Sequence, residues 1–325
     1  MDIFALAAAN LTSPPVLFFA LGILAGVAKS DLNVPQAVAK GLALYLMLAI
    51  GFKGGVEVSK AGLTPDLLLA ALAGVVLSFS MPVIAYGLLR AFTRLDRTTA
   101  AASAAHYGSI SVVTFVAGSE FLTLSGLVYS GHMVAVLALM ETPAILTGLI
   151  LAGRSAKGED ETARGDLIRE VALNGSVVLL MGAFFIGWIS GEPGMERLYP
   201  FVDGIFQGIL ALFLLDMGLV AARRLSGAKK LGVMGGVFGV VMPPIGAACA
   251  LVLAMLIGMS AADAAALMIL GASASYIAVP AAMRIALPEA DPSVYLTLSL
   301  AITFPFNLTV GIPLYTAIAR MVIGG

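Results

Sequence analysis

Charged residues are scarce in this sequence. Lysine, arginine, aspartate and glutamate make up 11% of its 325 residues, whereas soluble domains carry roughly 25%. This scarcity excludes an ordinary soluble domain. The formal net charge is -1, and the charges stand in short loops instead of in runs, so no surface for nucleic acid is predicted.

Cysteine and histidine are also nearly absent. The one cysteine, Cys249, lies in an apolar run, which excludes a disulfide framework or a thiolate metal site. The two histidines, His106 and His132, fall on different apolar segments. We interpret each as a packing residue, with proton relay as the alternative. Without metal-binding spacing or a set of serine, histidine and acid, we predict that the protein is not an enzyme.

Hydrophobic residues, in contrast, make up 60% of the chain. A membrane-spanning helix needs about 20 apolar residues, and about ten segments approach that measure. They lie near residues 14–29, 36–58, 66–92, 98–118, 125–153, 169–191, 200–222, 231–259, 262–285 and 292–322. The fold class predicted from them is an all-α polytopic membrane protein with about ten transmembrane helices.

The two halves of the chain repeat one another. Met81-Pro82 recurs as Met242-Pro243, Gly108-Ser109 recurs near Gly271, and Pro143 to Thr147 recurs as Pro305 to Thr309. The offsets agree to within two residues. We therefore predict two five-helix repeats, residues 1–160 and 161–325. Because five is an odd number, the second repeat enters the membrane from the opposite face, which is the inverted-repeat architecture of many secondary transporters.

The distribution of lysine and arginine predicts the orientation in the membrane. One set of loops carries most of them, including Arg90 to Arg97, the long charged loop 154–170, and Arg223 to Lys230. The other set carries little beyond Lys60 and Arg197. By the positive-inside rule the first set is cytoplasmic and both termini lie outside.

Predicted helices 4 and 9 hold glycine and serine where a plain spanning helix would hold leucine or valine. In hydrocarbon, irregular backbone survives only inside protein or beside a wet cavity, so we interpret both helices as broken. Close packing of small residues is the alternative. Helix N-termini at mid-membrane present unpaired N–H groups and a partial positive charge, which suit a small anion. The predicted substrate-binding residues are Gly108, Ser109, Ile110, Ser111, Ser273, Ala274, Ser275 and Tyr276.

A carboxylate stands inside predicted helix 5. Glu141 precedes Pro143, and the repeat places Asn307 and Thr309 next to Pro305. An ionisable residue within the membrane indicates a functional site, and oxygen ligands of this kind suit sodium. Glu141, Asn307 and Thr309 are therefore the predicted sodium site. The alternative is a protonated Glu141 that is hydrogen-bonded between helices.

Two further charges, Lys53 and Asp216, occupy equivalent places in the two halves. A charge at membrane depth usually pairs with another. We predict that Lys53 and Asp216 form a structural ion pair or face the same protein-lined interior.

Several stretches carry a resemblance to a known family. They are Gly51 to Gly55, Gly108-Ser109, Met140 to Ala144, Ala272 to Arg284, Leu287 to Tyr295 and Gly311 to Leu314. In these stretches the chain resembles the sodium-dependent bicarbonate transporter family known from cyanobacteria, as a divergent member. Tyr276 stands where that family typically has aspartate, and Glu141 where it has the shorter aspartate.

The resemblance implies a gate domain (predicted helices 1, 2, 6 and 7), a core domain (predicted helices 3–5 and 8–10), and a homotrimer. It also implies import of bicarbonate with sodium across the bacterial inner membrane. Control by a soluble regulatory protein is not carried over, because the loop from Arg154 to Glu170 is shorter here. No cofactor is predicted other than sodium as the coupling ion.

The function predicted from the sequence is secondary active transport of a small anion, most of all bicarbonate, by sodium symport with an elevator-like movement of the core. A symporter for a small carboxylate or of the bile-acid type is one alternative, and a sodium/proton exchanger is another. An intramembrane enzyme is the weakest alternative.

Overall fold

A computed structural model of the chain describes residue 8 and residues 10–62, 64–153, 175–224 and 228–324. Within these ranges the regular structure is helical and no strand occurs. The charged loop 154–170, on which the predicted boundary between the repeats and part of the predicted orientation depend, lies outside the described residues. The orientation in the membrane and the inverted relation of the halves therefore stay predictions.

The helices are numbered in chain order. They are α1 (Pro14–Val27), α2 (Gln36–Ala61), α3 (Pro65–Phe92), α4 (Arg97–Gly108), α5 (Val112–Leu124), α6 (His132–Leu139), α7 (Glu141–Ala152), α8 (Gly175–Tyr199), α9 (Phe206–Arg224), α10 (Ala228–Leu256), α11 (Ala261–Ala272), α12 (Ala278–Ala286) and α13 (Pro292–Gly324).

Each predicted spanning segment overlaps one of these helices or a pair of them, although residues 169–174 of one segment lie outside the described residues and α8 continues beyond its predicted end at 191 to Tyr199. Seven stretches of the described chain are long and apolar enough to cross a membrane, and α1 and α11 are shorter apolar helices. One stretch, Val178–Arg224, runs for 47 residues and contains most of α8 and all of α9. The prediction of an all-α polytopic membrane protein is confirmed.

Helices α1, α2, α8 and α9 pack chiefly on one another, α8 along α2 and α9 along α1. Glycine allows the backbones of each pair to touch. A Cβ atom on Gly55 of α2 would lie 1.9 Å from the Phe184 carbonyl oxygen of α8, and one on Gly218 of α9 would lie 2.2 Å from the Phe19 carbonyl oxygen of α1. Such close contact between small residues is the usual way in which membrane helices associate.

The remaining helices pack around the two breaks. Helix α3 lies against α4 and α7 in the first half, and α10 lies against α11 in the second, while α3 and α10 touch each other. A Cβ atom on Gly108 would meet the ring of Pro82, and one on Gly246 would meet the Gly271 carbonyl oxygen at 2.0 Å. The two packing groups contain the helices that were predicted as gate and core, although that division stays a prediction.

Candidate functional site

The first break separates α4 from α5. Helix α4 ends at Gly108, the backbone is extended at Ser109 (φ -84°, ψ 152°), and α5 begins at Val112. The Ser111 hydroxyl accepts a hydrogen bond from the Thr114 amide at 3.2 Å. This serine therefore caps α5 and satisfies one of the amides that every helix N-terminus leaves unpaired.

The second break separates α11 from α12. Helix α11 ends at Ala272, Ser273 is extended (φ -81°, ψ 159°), and α12 begins at Ala278. Ile277 occupies the N-cap position of α12 and provides no side-chain hydrogen bond. Both predicted helix breaks are thus present, and the second is longer and lacks a cap.

The second break hydrogen-bonds to the first break and to the end of α4 in the protein interior. The Ser111 amide donates to the Ser273 hydroxyl at 3.0 Å, and the Ser275 amide donates to the His106 carbonyl oxygen at 2.8 Å. The Ser273 hydroxyl in turn donates to the Leu270 carbonyl oxygen at 2.8 Å. All these serines are buried. Polar backbone at this depth is therefore satisfied by protein, as membrane burial requires.

A small cavity of about 10 Å³ lies between the breaks. The residues lining it are Met47, Ile110, Ser111, Val112, Glu141, Ser275, Tyr276 and Ile277. None of these described residues carries a positive charge, and the N-terminal end of α5, which has a partial positive charge, borders the cavity. Glu141 is the one lining residue with an ionisable carboxyl group. The Tyr276 hydroxyl is buried, with Ser111 as a polar neighbour but no well-formed hydrogen bond.

The structure brings four of the predicted substrate-binding residues to this cavity and uses the others differently. Ile110, Ser111, Ser275 and Tyr276 line it. The other four lie behind it: Gly108 packs on Pro82, Ser273 and Ala274 are buried, and the Ser109 hydroxyl is buried with no hydrogen-bond partner among the described residues.

Glu141 begins α7, where that helix meets α6, and its side chain is buried. The Ser78 hydroxyl of α3 bridges the same junction, since it donates to the Met140 carbonyl oxygen and accepts from the Ala144 amide at 3.1 Å. Ser78 thus substitutes for helix hydrogen bonds that are interrupted around Pro143. Sequence reasoning missed Ser78, although a buried serine in an apolar helix was the available signal.

Asn307 and Thr309 do not line the cavity that Glu141 lines. The Asn307 amide donates to the Ala272 carbonyl oxygen at 2.8 Å, and its oxygen accepts from the Tyr315 hydroxyl at 3.0 Å. The Thr309 hydroxyl donates to the Pro305 carbonyl oxygen of its own helix. The described residues contain no group of three or more histidine, cysteine, aspartate and glutamate side chains that could hold a metal ion. The grouping of all three residues as a sodium site stays a prediction.

The predicted ion pair between Lys53 and Asp216 is wrong, and the alternative that both face the same protein-lined interior stays a prediction. Lys53 pairs with Asp203 instead, because the π-helical turn Pro200–Gly204 between α8 and α9 brings Asp203 beside α2. Asp216 lies 13 residues further on, about 20 Å along the helix axis. The Lys53–Asp203 pair lines a separate polar cavity of about 420 Å³ between α2, α5 and the α8–α9 junction.

His106 packs in the interior, as the sequence predicted, and it also makes a hydrogen bond that the sequence did not predict. Its ring is buried, Nδ1 is hydrogen-bonded to the Ser275 carbonyl oxygen, and the ring stacks on that of Tyr295 at 4.8 Å between centroids. The next residue, Tyr107, shares a hydrogen bond of 2.8 Å with Thr303 of α13. In the sequence, the only signal of the hydrogen bond from His106 was the position of the histidine, three residues before a predicted break.

Comparison with known proteins adds one match to this geometry. A family model described as the Na+-dependent bicarbonate transporter superfamily matches residues 14–320. The match begins at the first residue of α1 and extends into the last turn of α13, so that it includes both breaks and Glu141. No curated protein matches the chain.

Proposed function

The chain belongs to the Na+-dependent bicarbonate transporter superfamily, and we propose that it imports bicarbonate by sodium symport. The observation that carries this proposal is the cavity lined by residues of both breaks. It joins the N-terminal end of α5, hydroxyl groups and a buried carboxyl group. A helix N-terminus and hydroxyl donors suit the oxygens of a small anion, and they bind it without a fixed cationic side chain.

Glu141 explains why anion binding in this cavity needs a cation. An ionised carboxylate and a bicarbonate in one small, buried space repel each other, and the low dielectric of the interior makes that repulsion strong. A sodium ion bound by Glu141 removes it. The two ligands then bind with reciprocal coupling, so sodium raises the affinity for the anion by the same factor as the anion raises the affinity for sodium.

A proton on Glu141 would remove the same repulsion. The buried position of this carboxyl group therefore favours proton coupling as the second candidate. The two candidates differ in what a glutamine at position 141 does. Glutamine imitates a protonated glutamate, but it carries no charge with which to attract sodium.

Transport requires the site to open, since a cavity of about 10 Å³ is near the lower limit for one water molecule. Met47 of α2 lines the cavity beside residues of α5, α7 and the second break. It thus contributes from the group α1, α2, α8 and α9, whereas the breaks belong to the other group. We propose that the second group moves against the first as an elevator, exposing the cavity to each side of the membrane in turn.

The remaining parts of the proposal extend beyond the site. We propose that the protein acts in the bacterial inner membrane and assembles as a homotrimer, with sodium as the coupling ion and no other cofactor. The superfamily match supports a multi-pass membrane transporter of this kind.

Uptake of labelled bicarbonate into proteoliposomes tests the proposal. We expect uptake by the purified protein to require an inward sodium gradient, and Glu141→Gln to abolish the dependence on sodium. The matched control is Glu192→Gln, which removes an exposed carboxylate paired with Lys60 and should leave sodium dependence unchanged.

Two outcomes would contradict sodium symport. Equal uptake in sodium and choline buffers would remove sodium from the mechanism. Wild-type uptake that depends on a pH gradient instead of a sodium gradient, together with loss of that pH dependence in Glu141→Gln, would favour proton coupling.

A further inference from the structure

His106, in the last turn of α4, contacts the second break through both its backbone and its side chain. Its carbonyl oxygen accepts the Ser275 amide at 2.8 Å, and its ring Nδ1 is bonded to the Ser275 carbonyl oxygen. One residue of α4 thus satisfies both backbone polar groups of one residue in the second break. Ser275 itself lines the cavity.

The ring of His106 has one tautomer that fits these contacts. A carbonyl oxygen only accepts hydrogen bonds, so Nδ1 must carry the proton. The other ring nitrogen, Nε2, is buried and has no hydrogen-bond partner among the described residues. A second proton there would place a charged, unpaired donor in the interior, which is costly. We therefore assign the neutral form with the proton on Nδ1.

Tyr295 fixes the plane of the imidazole. The two rings stack with an interplanar angle of 27°, and both side chains are buried. The orientation of Nδ1 toward Ser275 is consequently set by α13 as well as by α4.

The second half of the chain has no counterpart to this residue. Ser109 and Ser273 both end a helix, and their separation of 164 residues (273 − 109) aligns His106 with Leu270 (106 + 164). Leucine has no polar group with which to hold the first break in return. A histidine of the first half thus holds the second break, and no equivalent residue of the second half holds the first. The break that is held in this way is the one before α12, which has no side-chain N-cap.

We propose that His106 is a positioning residue, which holds the Ser275 backbone so that the anion site is formed before the anion arrives. This inference rests on the proposed function for its effect on bicarbonate, but not for the contact itself. Without the ring donor, the second break should relax and the site should have to order itself on binding. One lost hydrogen bond corresponds to about a tenfold rise in KM for bicarbonate, with little change in the maximal rate.

The test compares three variants at position 106. His106→Phe keeps a ring that stacks on Tyr295 but has no donor, and His106→Met is a second donor-free variant in case the first does not fold. In His106→Asn the amide nitrogen occupies a position similar to that of Nδ1 and can donate to Ser275. His132→Asn, at the half-exposed start of α6, is the matched control.

Hydrogen exchange of the purified protein in detergent, without bicarbonate, tests independently of transport whether the His106 ring keeps the second break ordered, because the Ser275 amide bonds to the His106 backbone carbonyl oxygen, which every variant retains. We expect the Ser275 amide of the wild type to exchange slowly. In the donor-free variants its exchange should become at least about tenfold faster, while His106→Asn and His132→Asn remain close to wild type. Uptake assays should then show the rise in KM for the donor-free variants alone.

Several results would overturn the proposal. Fast exchange of the Ser275 amide in the wild type would show that the second break is not held in one conformation, whatever the variants do. An unchanged KM in His106→Phe, or an equal defect in His106→Asn, would exclude positioning by the donor. If the wild type transports no bicarbonate at all, the proposed function fails, whereas the exchange results still decide whether His106 holds the second break.

Discussion

The two helix breaks differ in how they are held. The first is three residues long, and Ser111 at its end caps α5 with its own side chain. The second is five residues long and ends at Ile277, which provides no cap for the nine residues of α12. The first break is thus largely specified by its local sequence, while the second depends on contacts from other helices.

Those contacts come from three directions. His106 holds Ser275, and Asn307 of α13 satisfies the Ala272 carbonyl oxygen at the end of α11. Gly246 of α10 allows the backbone of α11 to approach closely. A site in which one half is locally formed and the other is held by its neighbours can change shape when those neighbours move. The second break, which carries Ser275 and Tyr276 to the cavity, is therefore the part of the site that can change shape when neighbouring helices move.

The largest effect is expected where another helix packs directly against the backbone at each break, at Gly108 and Gly246. A Cβ atom on Gly246 would lie 2.0 Å from a backbone oxygen, and one on Gly108 would lie 2.4 Å from the ring of Pro82. We expect Gly108→Ala and Gly246→Ala each to destabilise the protein by about 1–3 kcal/mol, because both new Cβ atoms meet atoms that cannot easily move aside, including the Ser78 carbonyl oxygen at 2.6 Å from the Cβ atom at position 108. Thermal unfolding in detergent measures both.

Gly87→Ala is the control for these glycine variants. Nothing lies within 4 Å of a Cβ atom at that position of α3, and alanine favours a helix interior by about 1 kcal/mol over glycine. If Gly246→Ala were as stable as Gly87→Ala, the close contact between the backbones of α10 and α11 at the second break would be disproved.

A smaller effect is expected from Asn307. Asn307→Leu leaves the buried Ala272 carbonyl oxygen and the Tyr315 hydroxyl without their partner, at about 1–3 kcal/mol for each unsatisfied group. Thr309→Val is the matched control, because the Thr309 hydroxyl bonds only within its own helix and its loss should cost less than about 0.5 kcal/mol. Denaturation of the two variants, each with and without sodium, provides the comparison.

The measurements with sodium decide whether Asn307 and Thr309 bind the ion or only make structural hydrogen bonds. If sodium stabilises the wild type but neither variant, both residues bind the ion, and Asn307 does so in addition to making its structural hydrogen bonds. If sodium stabilises Thr309→Val as it does the wild type, Thr309 is not a ligand.

The smallest expected effect concerns the caps. Ser111→Ala removes the bond to the Thr114 amide and should lower stability by about 1 kcal/mol. Ile277→Ser should change stability by less than about 0.5 kcal/mol, because Ile277 has helical backbone angles (φ -110°, ψ -60°) instead of the extended angles of a typical N-cap. A substantial gain from Ile277→Ser in the same unfolding assay would mean that local sequence can form the second break alone.

The sequence by itself determined the membrane class, the position of each helical segment and the location of both breaks. Composition and the spacing of glycine and serine are local properties, and they are sufficient to show where a helix cannot continue in hydrocarbon. The same reasoning identified Glu141 as a buried carboxyl group, and the family was recognised from short stretches along the chain.

Only the tertiary structure decided which groups meet. Ser111 and Ser273 are 162 residues apart, His106 and Ser275 are 169 apart, and Lys53 and Asp203 are 150 apart. The predicted partner of Lys53 was wrong because equivalence in a repeat does not determine how a connecting turn is directed. Hydrogen-bond partners at such separations are chosen by the packing of whole helices, in which each buried polar group must find a partner within reach.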